Sequence, residues 1–331
     1  MPQHQRSQRH NARLAAGVFI SAFALAGCAG LFPQTAALRD AGVPGVPARV
    51  ELTEVPFFPQ VEYQCGPAAL ATVLAHFGAK VGPQDLVSQV YLPERKGSLQ
   101  IEMLAAARRH GMVSYALRPR FEDVLREIAA GNPVIVLQDQ GLGPFEKWHY
   151  AVAIGYDLSE RELMLRSGDK HRQVLPFAIH EYMWGKSSHW AMVAVPPDRI
   201  AATASEAGWL AAAAALERSG DARSARTAYR KLLERWPGNS HALLGLANAH
   251  YALGELEQAE TVLRQALGRQ PDSVAVLNNL AQTLSDLGRH GEALALIERA
   301  EAVDGPHAAA VRDTRRLILS RMAQKKPSDP E

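Results

Sequence analysis

The sequence predicts an α+β domain around an antiparallel sheet, followed by an all-α solenoid. The order of the local patterns supports the first part, because helical patterns come first and short apolar strand patterns follow between about residues 50 and 195. Composition supports the second part, since after Pro196-Pro197 it shifts to Ala, Leu, Glu and Arg with almost no β-branched runs. The 331 residues of the chain suit two domains of ordinary size.

The first predicted domain spans residues 50–197. Its helical patterns cover residues 68–77, 84–91, 99–110 and 121–130. Its short apolar runs, which are typical of strands, cover residues 133–137, 149–156, 162–166 and 189–195. We expect these later runs to form the antiparallel sheet.

The second predicted domain repeats with a period of 34 residues. The matching positions are Gly220, Gly254 and Gly288; Ala213, Ala247 and Ala281; and Ala225, Ala259 and Ala293. Small side chains at such positions let two helices approach closely, and the glycines fall in the turn between them. The pattern is typical of tetratricopeptide (TPR) repeats, so we predict three repeats and a capping helix within residues 205–322. TPR repeats present a concave groove for a peptide or protein partner.

The N-terminal segment has the three parts of a secretory signal. A polar stretch ends at Arg13, an apolar run covers residues 14–26, and small residues precede Cys28. Leu25-Ala26-Gly27-Cys28 resembles the bacterial lipobox, which implies a cleaved lipoprotein signal peptide over residues 1–27 and acylation of Cys28. The alternative is an uncleaved signal anchor with an incidental cysteine.

The lipobox resemblance also implies a location. Ala29 after the cysteine favours sorting to the outer membrane, with the protein facing the periplasm and bound to the membrane through its lipid anchor. Residues 28–49 are rich in Ala, Gly and Pro, and we predict that they form a tether.

Charge and cysteine content exclude several classes of protein. The formal net charge is +2, but Arg6, Arg9 and Arg13 all precede Cys28, so the rest of the chain gives no electrostatic reason to bind nucleic acid. With only two cysteines and no CxxC pair, neither a disulfide framework nor a cysteine-rich zinc site is expected. The histidines do not recur at metal-ligand spacing, and no metal or other cofactor is predicted.

Cys65 stands where a helix is expected to begin. Gly66 and Pro67 follow it and lead into an apolar helical run. Proline is tolerated in a first helical turn, and the unpaired N–H groups and the dipole of a helix N-terminus stabilise a thiolate. This position favours a reactive cysteine. The alternative is a small buried residue that begins a helix.

His149 supplies a possible base for that cysteine, because it stands at the start of an apolar strand. Gln60, the Cys65-Gly66-Pro67 turn and the strand from His149-Tyr150 to Gly155-Tyr156-Asp157 together resemble the papain-like bacteriocin double-glycine leader peptidase family, over about residues 50–195. The resemblance implies a papain-like cysteine peptidase fold. It further implies that Cys65 attacks a carbonyl, His149 shuttles the proton and Gln60 donates to the oxyanion.

The residue that orients the histidine departs from that family. The family has an aspartate at the end of the next strand, whereas the strand register puts Ser167 there and leaves Asp169 two residues beyond. A serine can accept a hydrogen bond from imidazole but cannot stabilise imidazolium by charge. Catalytic competence therefore depends on whether Ser167 or Asp169 orients His149.

These features support one preferred function and two alternatives. We expect an envelope lipoprotein that hydrolyses peptide bonds, with TPR repeats that bind the substrate or a partner protein. The chain has no GxxxxGK[ST] loop, so a transporter-fused export peptidase is not expected, and double-glycine leaders are not assumed as substrates. The main alternative is a catalytically weak or inactive peptidase-fold scaffold that binds peptides. A papain-like amidase or transferase that acts on cell-wall peptides would share the same nucleophile and base.

Overall fold

The computed structural model describes residues 32–60, 63–141, 145–303 and 305–324. These residues divide into two compact units. One consists of the residues up to Met103 together with Ala116–Val193, and the other of Leu104–Tyr115 together with the residues from Ala194 onward. Within the described ranges, no helix combines the length and the apolar character needed to cross a membrane. The predicted signal peptide and Cys28 lie outside the described residues.

Up to Val195 the chain mixes helices and strands. The helices are α1 (Pro33–Ala41), α2 (Cys65–His76), α3 (Pro83–Val90), α4 (Gln100–Arg109), α5 (Phe121–Ala129) and α6 (Phe177–Gly185). The strands are β1 (Arg49–Glu51), β2 (Tyr91–Leu92), β3 (Gly97–Ser98), β4 (Val113–Ala116), β5 (Val134–Asp139), β6 (Trp148–Asp157), β7 (Glu162–Ser167), β8 (Lys170–Pro176) and β9 (Ala191–Val195). A short 3-10 turn, Pro93–Arg95, stands between β2 and β3.

The main sheet is antiparallel, as predicted, and β6 is its central strand. β6 pairs with β5, with β7 and, at its C-terminal end, with β1. β8 pairs with β7, and β9 pairs with β5. Residues 150–156 of β6 are all buried, whereas His149 just before them is only half-buried. The buried run fixes β6 in the core and brings His149 to its edge.

Helix α2 is buried along most of its length. Residues 66–74 are all buried, and the helix contacts β6. A helix that is buried on every side has no polar face, and small and aliphatic residues fill this one. Because α2 is held on all sides, its first residue, Cys65, has a defined position beside the central strand.

Gly155 and Tyr156 hold the start of the domain against β6. Gly155 lies opposite Glu51 of β1, and a Cβ at Gly155 would come within 2.7 Å of the carbonyl oxygen of Val50. The hydroxyl of Tyr156 donates to the carbonyl oxygen of Pro47 at 3.0 Å. The absence of a side chain at Gly155 therefore makes room for β1.

Part of the predicted tether is folded. Residues 28–49 are expected to lack regular structure, but α1 forms within them. The carboxylate of Glu181 in α6 accepts the backbone N–H groups of Gln34 at 2.9 Å and Thr35 at 2.7 Å, and the Gln34 side chain accepts the N–H of Phe121 at 2.6 Å. The first turn of α1 is thus completed by residues far away in sequence, so local composition gives no sign of it.

Strand β8 and helix α6 are absent from the sequence-based prediction. The buried positions of α6 are Phe177, His180, Glu181 and Trp184, which recur at helical spacing. Two of these four are polar, and this obscures the hydrophobic pattern of the helix. His180 is fully buried and its Nδ1 is hydrogen-bonded to Gln138 Nε2 at 2.8 Å.

The second unit is helical from Glu206 onward. Its helices are α7 (Glu206–Arg218), α8 (Ala222–Arg235), α9 (Ser240–Ala252), α10 (Leu256–Arg269), α11 (Val274–Asp286), α12 (His290–Glu301) and α13 (Ala308–Gln324). Among the residues described in this part, they form three successive pairs and one further helix. This arrangement confirms the predicted helical repeat region.

The repeat positions perform the packing roles that the period predicts. The six alanines, Ala213, Ala225, Ala247, Ala259, Ala281 and Ala293, are all buried. Gly220, Gly254 and Gly288 have φ values of 91°, 74° and 77° in the turns between paired helices, a conformation that glycine adopts without a Cβ clash. In α13, Val311 and Ile318 are buried, whereas Leu317 and Met322 are exposed.

Gly245 in α9 provides a test of this packing. A Cβ at Gly245 would lie 2.2 Å from Tyr229 Cζ, and the Tyr229 side chain is buried with its hydroxyl bonded to Glu217 at 2.6 Å. We expect Gly245→Ala to destabilise the protein by about 1–3 kcal/mol, because the ring cannot move without breaking this contact. Chemical denaturation followed by circular dichroism measures the loss.

Gly268→Ala is the matched control. Gly268 lies in the last turn of α10, and a methyl group there would have no neighbouring atom within 4 Å, so alanine is expected to stabilise the helix slightly, by up to roughly 0.5 kcal/mol, through its higher helix propensity. Equal effects of the two substitutions would contradict the close contact between Gly245 and Tyr229.

Candidate active site

A cavity of about 1240 Å³ lies in the first unit, between the start of α2 and the start of β6. Cys65, His149 and Gln60 all line it. Three of the residues that the sequence predicts for the active site therefore meet in one place, although 84 residues of sequence separate the cysteine from the histidine.

Cys65 is the first residue of α2 and is a half-buried free thiol. The residue before the helix, Gln64, makes no side-chain cap, so the N–H groups at the helix start are not taken up by a capping side chain. Tyr63 has a left-handed φ of 62°, which is unusual for an aromatic residue and turns the chain sharply into the helix. These N–H groups are the donors that a charged sulfur or an oxyanion would use.

Gly66 allows the first turn of α2 to pack closely. A Cβ at Gly66 would lie 2.2 Å from Ser98 Oγ and 2.6 Å from Ser98 Cβ. Ser98 is itself tied to the central strand, because Tyr150 donates its hydroxyl to the Ser98 carbonyl oxygen at 3.1 Å. The side chain missing at Gly66 thus lets the helix start, β3 and β6 meet around Cys65.

Ser167, not Asp169, contacts His149. Ser167 Oγ lies 3.0 Å from His149 Nε2, and Ser167 is buried at the end of β7. Asp169 is exposed and makes no hydrogen bond to the described part of the chain. With Nε2–H donating to Ser167 Oγ, Nδ1 carries the lone pair that a general base needs.

Cys65 and His149, both among the described residues, line the same cavity but form no hydrogen bond with each other. Catalytic hydrogen bonds are often long in the free enzyme and tighten when the substrate binds. His149 Nδ1 likewise makes no hydrogen bond to the described residues. The arrangement therefore leaves the second ring nitrogen available for the thiol.

The electrostatic environment favours a neutral pair. Burial raises the pKa of the Cys65 thiol, and the backbone N–H groups of Tyr150, Gly66 and Cys65 only partly oppose that effect. Burial also lowers the pKa of His149 to about 4, with a smaller contribution from the charge of Lys147. At neutral pH both groups are uncharged, so the site holds a thiol and an imidazole rather than an ion pair.

Gln60 links the segments that carry His149 and Ser167. Its Nε2 donates to the carbonyl oxygen of Tyr150 at 3.1 Å, and its Oε1 accepts the N–H of Gly168 at 3.0 Å. Its backbone N–H donates to the Gly168 carbonyl oxygen, also at 3.0 Å. An amide nitrogen carries two hydrogens, so one N–H of Gln60 remains for an oxyanion in the cavity.

The sequence reasoning missed Asp139, which organises the loop before His149. Asp139 ends β5 and is buried; its carboxylate accepts the backbone N–H groups of Gly141 at 2.8 Å and Lys147 at 2.7 Å, and it pairs with Lys186 Nζ at 2.9 Å. A carboxylate at the end of a buried apolar strand was the available signal. No group of three or more His, Cys, Asp and Glu side chains among the described residues is placed to hold a metal ion.

The thiol pKa can be tested by alkylation. Because burial raises the pKa of Cys65, we expect its rate of reaction with iodoacetamide to keep rising above pH 9, the ordinary value for a thiol. Peptide mapping by mass spectrometry distinguishes Cys65 from Cys28, and glutathione is the reference thiol. A rate that levels off below pH 7 would contradict the neutral pair.

Models of known protein families match both predicted domains of the chain. The model of the Peptidase_C39 like family matches residues 52–185, and two tetratricopeptide-repeat models match residues 216–272 and 246–309. No curated protein matches the chain.

Solved structures resemble each part separately. A candidate C39-like peptidase from Bacillus anthracis has 18% identity and a TM-score of 0.38 and covers 44% of this chain and 97% of its own. The peptidase domain of Streptococcus ComA, a bifunctional ABC transporter of a quorum sensing pathway, has 18% identity and a TM-score of 0.34, covering 43% of this chain and 98% of its own.

The repeats resemble the Yersinia enterocolitica secretion chaperone SycD in complex with a YopD peptide. The identity is 16% and the TM-score 0.34, with 36% of this chain and 92% of that chain covered. From the family matches, we conclude that the chain contains a Peptidase_C39-like domain followed by tetratricopeptide repeats.

Proposed function

We propose that the protein is a thiol hydrolase that cleaves peptide bonds, with Cys65 as nucleophile and His149 as base. The observation that carries this proposal is the shared cavity, in which a thiol at a helix N-terminus and an imidazole at a strand start line the same space. The hydrogen bond from His149 to Ser167 supports it, because it fixes one ring nitrogen and leaves the other for proton transfer.

The chemistry follows from the neutral pair. As Cys65 Sγ attacks the carbonyl carbon, its proton passes to His149 Nδ1, and the carbonyl oxygen becomes an oxyanion near the N–H of Cys65 and the second N–H of Gln60. The imidazolium then gives its proton to the departing amine, which leaves a thioester. Water, deprotonated by His149, hydrolyses the thioester and restores the thiol.

The main alternative is a peptide-binding scaffold with little or no catalysis. The specific observation in its favour is the neutral Ser167 beside His149 and the exposed position of Asp169. None of the described residues brings a negative charge to the imidazolium that the mechanism requires, and the His149 pKa of about 4 reflects that environment. The cavity would then bind peptides without cutting them.

The rest of the chain supports a role at the cell envelope. We propose that Cys28 is lipidated and anchors the protein to the outer membrane, facing the periplasm, as the lipobox resemblance implies. We also propose that the TPR groove binds the substrate or a partner protein, as repeats of this kind do in general.

A thiol-directed activity probe tests catalysis directly. We expect a peptidyl acyloxymethyl ketone to label the wild type at Cys65, with labelling abolished in Cys65→Ala. In His149→Ala we expect labelling to slow by about 10²-fold or more, because the base that deprotonates the thiol is gone. The rate of labelling is followed by mass spectrometry.

His171→Ala is the control for removal of a histidine from the same domain, since His171 does not line the cavity. Its labelling rate should match that of the wild type. Equal rates in His149→Ala and the wild type would overturn the proposed base and leave the scaffold alternative.

Ser167→Asp tests whether a missing charge limits the site. A carboxylate about as close to His149 as Ser167 Oγ is expected to raise the His149 pKa by about 1–3 units, because it stabilises the imidazolium. The acid limb of the labelling rate, expected near pH 4 in the wild type, should then move to higher pH, and the rate at pH 7 should rise. A pH series of probe labelling measures both changes.

Ser167→Asn is the control, because asparagine has the shape of aspartate without its charge. It should leave the acid limb where it is. If aspartate and asparagine gave the same profile, charge at position 167 would not control the base.

A further inference from the structure

Cationic side chains without ion-pair partners surround the cavity. Arg95, Lys96 and Lys147 all line it and are all exposed. Arg95 and Lys96 precede β3 on the side of the cavity near the start of α2, and Lys147 precedes β6 on the side of His149. None of the three forms an ion pair with a described carboxylate.

Two further charged residues, Lys186 and Glu146, line the cavity. Lys186 pairs with the buried Asp139 at 2.9 Å. Glu146 is the one acidic residue among the described lining residues, and its carboxylate accepts the indole N–H of Trp148 at 3.0 Å. The indole is neutral and does not cancel the charge of Glu146, so the described lining residues have three cations without ion-pair partners against one carboxylate, and their net charge is positive.

Exposed aromatic rings stand among these cations. Tyr63, Phe145 and Trp148 line the cavity and are 47%, 79% and 44% exposed. The ammonium group of Lys96 lies 5.6 Å from the centre of the Tyr63 ring. Aromatic rings beside cations without ion-pair partners suit a ligand that carries both apolar and anionic side chains. A small anion alone would make no apolar contact with these rings.

We propose that this cavity selects acidic peptide segments, in which Asp or Glu side chains flank an apolar residue at the cleavage point. The inference rests on the proposed function, since it names the substrate class of the same site. Arg95, Lys96 and Lys147 are specificity residues in this proposal, and the aromatic rings hold the apolar residue.

Charge complementarity favours a peptide over a nucleic acid or a membrane surface. Nucleic acid binding requires a continuous basic surface that neutralises many phosphates, whereas here three cations surround a cavity that contains a thiol and an imidazole. A substrate carboxylate near Lys147 would also oppose the effect of that cation on the neighbouring His149. The substrate would thereby supply some of the negative charge that Ser167 does not.

A binding experiment on the full chain tests the proposal. The probes are two twelve-residue peptides with the same central Phe-Gly-Ala and a tetramethylrhodamine label, one with four flanking Glu residues and the other with Gln at the same positions. Fluorescence anisotropy is measured with Cys65→Ala, so that binding is observed without cleavage. We expect the Glu peptide to bind at least about tenfold more tightly at low salt, and the difference to shrink at 0.5 M salt.

Variants that each remove one positive charge test which residues cause the preference for the Glu peptide. Arg95→Gln and Lys147→Gln, each combined with Cys65→Ala, should each weaken binding of the Glu peptide by about threefold and leave the Gln peptide unaffected. Lys80→Gln is the matched control, because Lys80 is an exposed lysine beyond the opposite end of α2 and does not line the cavity. It should change neither affinity.

Three results would overturn the proposal. The first is equal affinity for the Glu and Gln peptides. The second is that phosphatidylglycerol vesicles or a thymidine oligonucleotide bind as well as the Glu peptide and lose binding in the same variants, which would identify a general anion surface. The third is cleavage of both peptides by the wild type at the same rate.

The proposed hydrolase is judged separately. It fails if the wild type cleaves neither peptide even though the Glu peptide binds.

Discussion

The close contact of Gly66 with Ser98 determines where the thiol lies. A Cβ at Gly66 would overlap Ser98, and Ser98 is bonded to the Tyr150 hydroxyl on the central strand. Tyr150 directly follows His149, so this contact also links the start of α2 to the strand that carries His149. The buried residues 66–74 of α2 and the buried run of β6 make this a rigid arrangement, because neither element can shift without opening the core.

The polar groups around the cavity position the backbone and leave Cys65 and His149 uncharged. Gln60 bridges the strand of His149 and the turn after Ser167, and Asp139 holds the loop that leads into β6. These bonds order the site. None of the described residues brings a carboxylate to His149, so burial dominates its pKa and that of Cys65. A thiol and an imidazole thus share one cavity, and the described residues give an imidazolium there weaker electrostatic support than a carboxylate would give.

Most of the fold could be predicted because its signals can be read from the sequence alone. The apolar runs of β5, β6 and β7 are local, and the 34-residue period places the same small residues in each successive helix pair. Helix α1 and helix α6 were missed because their signals are not local: Glu181 supplies the cap of α1 from a distant element, and α6 buries polar residues on its inner face.

In the candidate site, too, some residues could be predicted from the sequence and others depend on contacts that form only in the folded chain. Cys65, His149 and Gln60 follow from motifs in the sequence, and the structure brings them to one cavity. The strand register also indicated Ser167 as the neighbour of His149, but whether Asp169 reaches the ring depends on the turn after β7. Asp139 was missed because its role is to accept backbone N–H groups, and these bonds are visible only when the loop is folded.

The docking of α1 has a practical consequence for truncation. A fragment that begins at Val50, the predicted start of the domain, would lack the N–H groups of Gln34 and Thr35 that Glu181 accepts. Glu181 is only 3% exposed, and a buried carboxylate without donors is costly. Helix α1 therefore belongs to the folded unit that contains Cys65 and His149, and a fragment without it is expected to be less stable and less soluble than the longer chain.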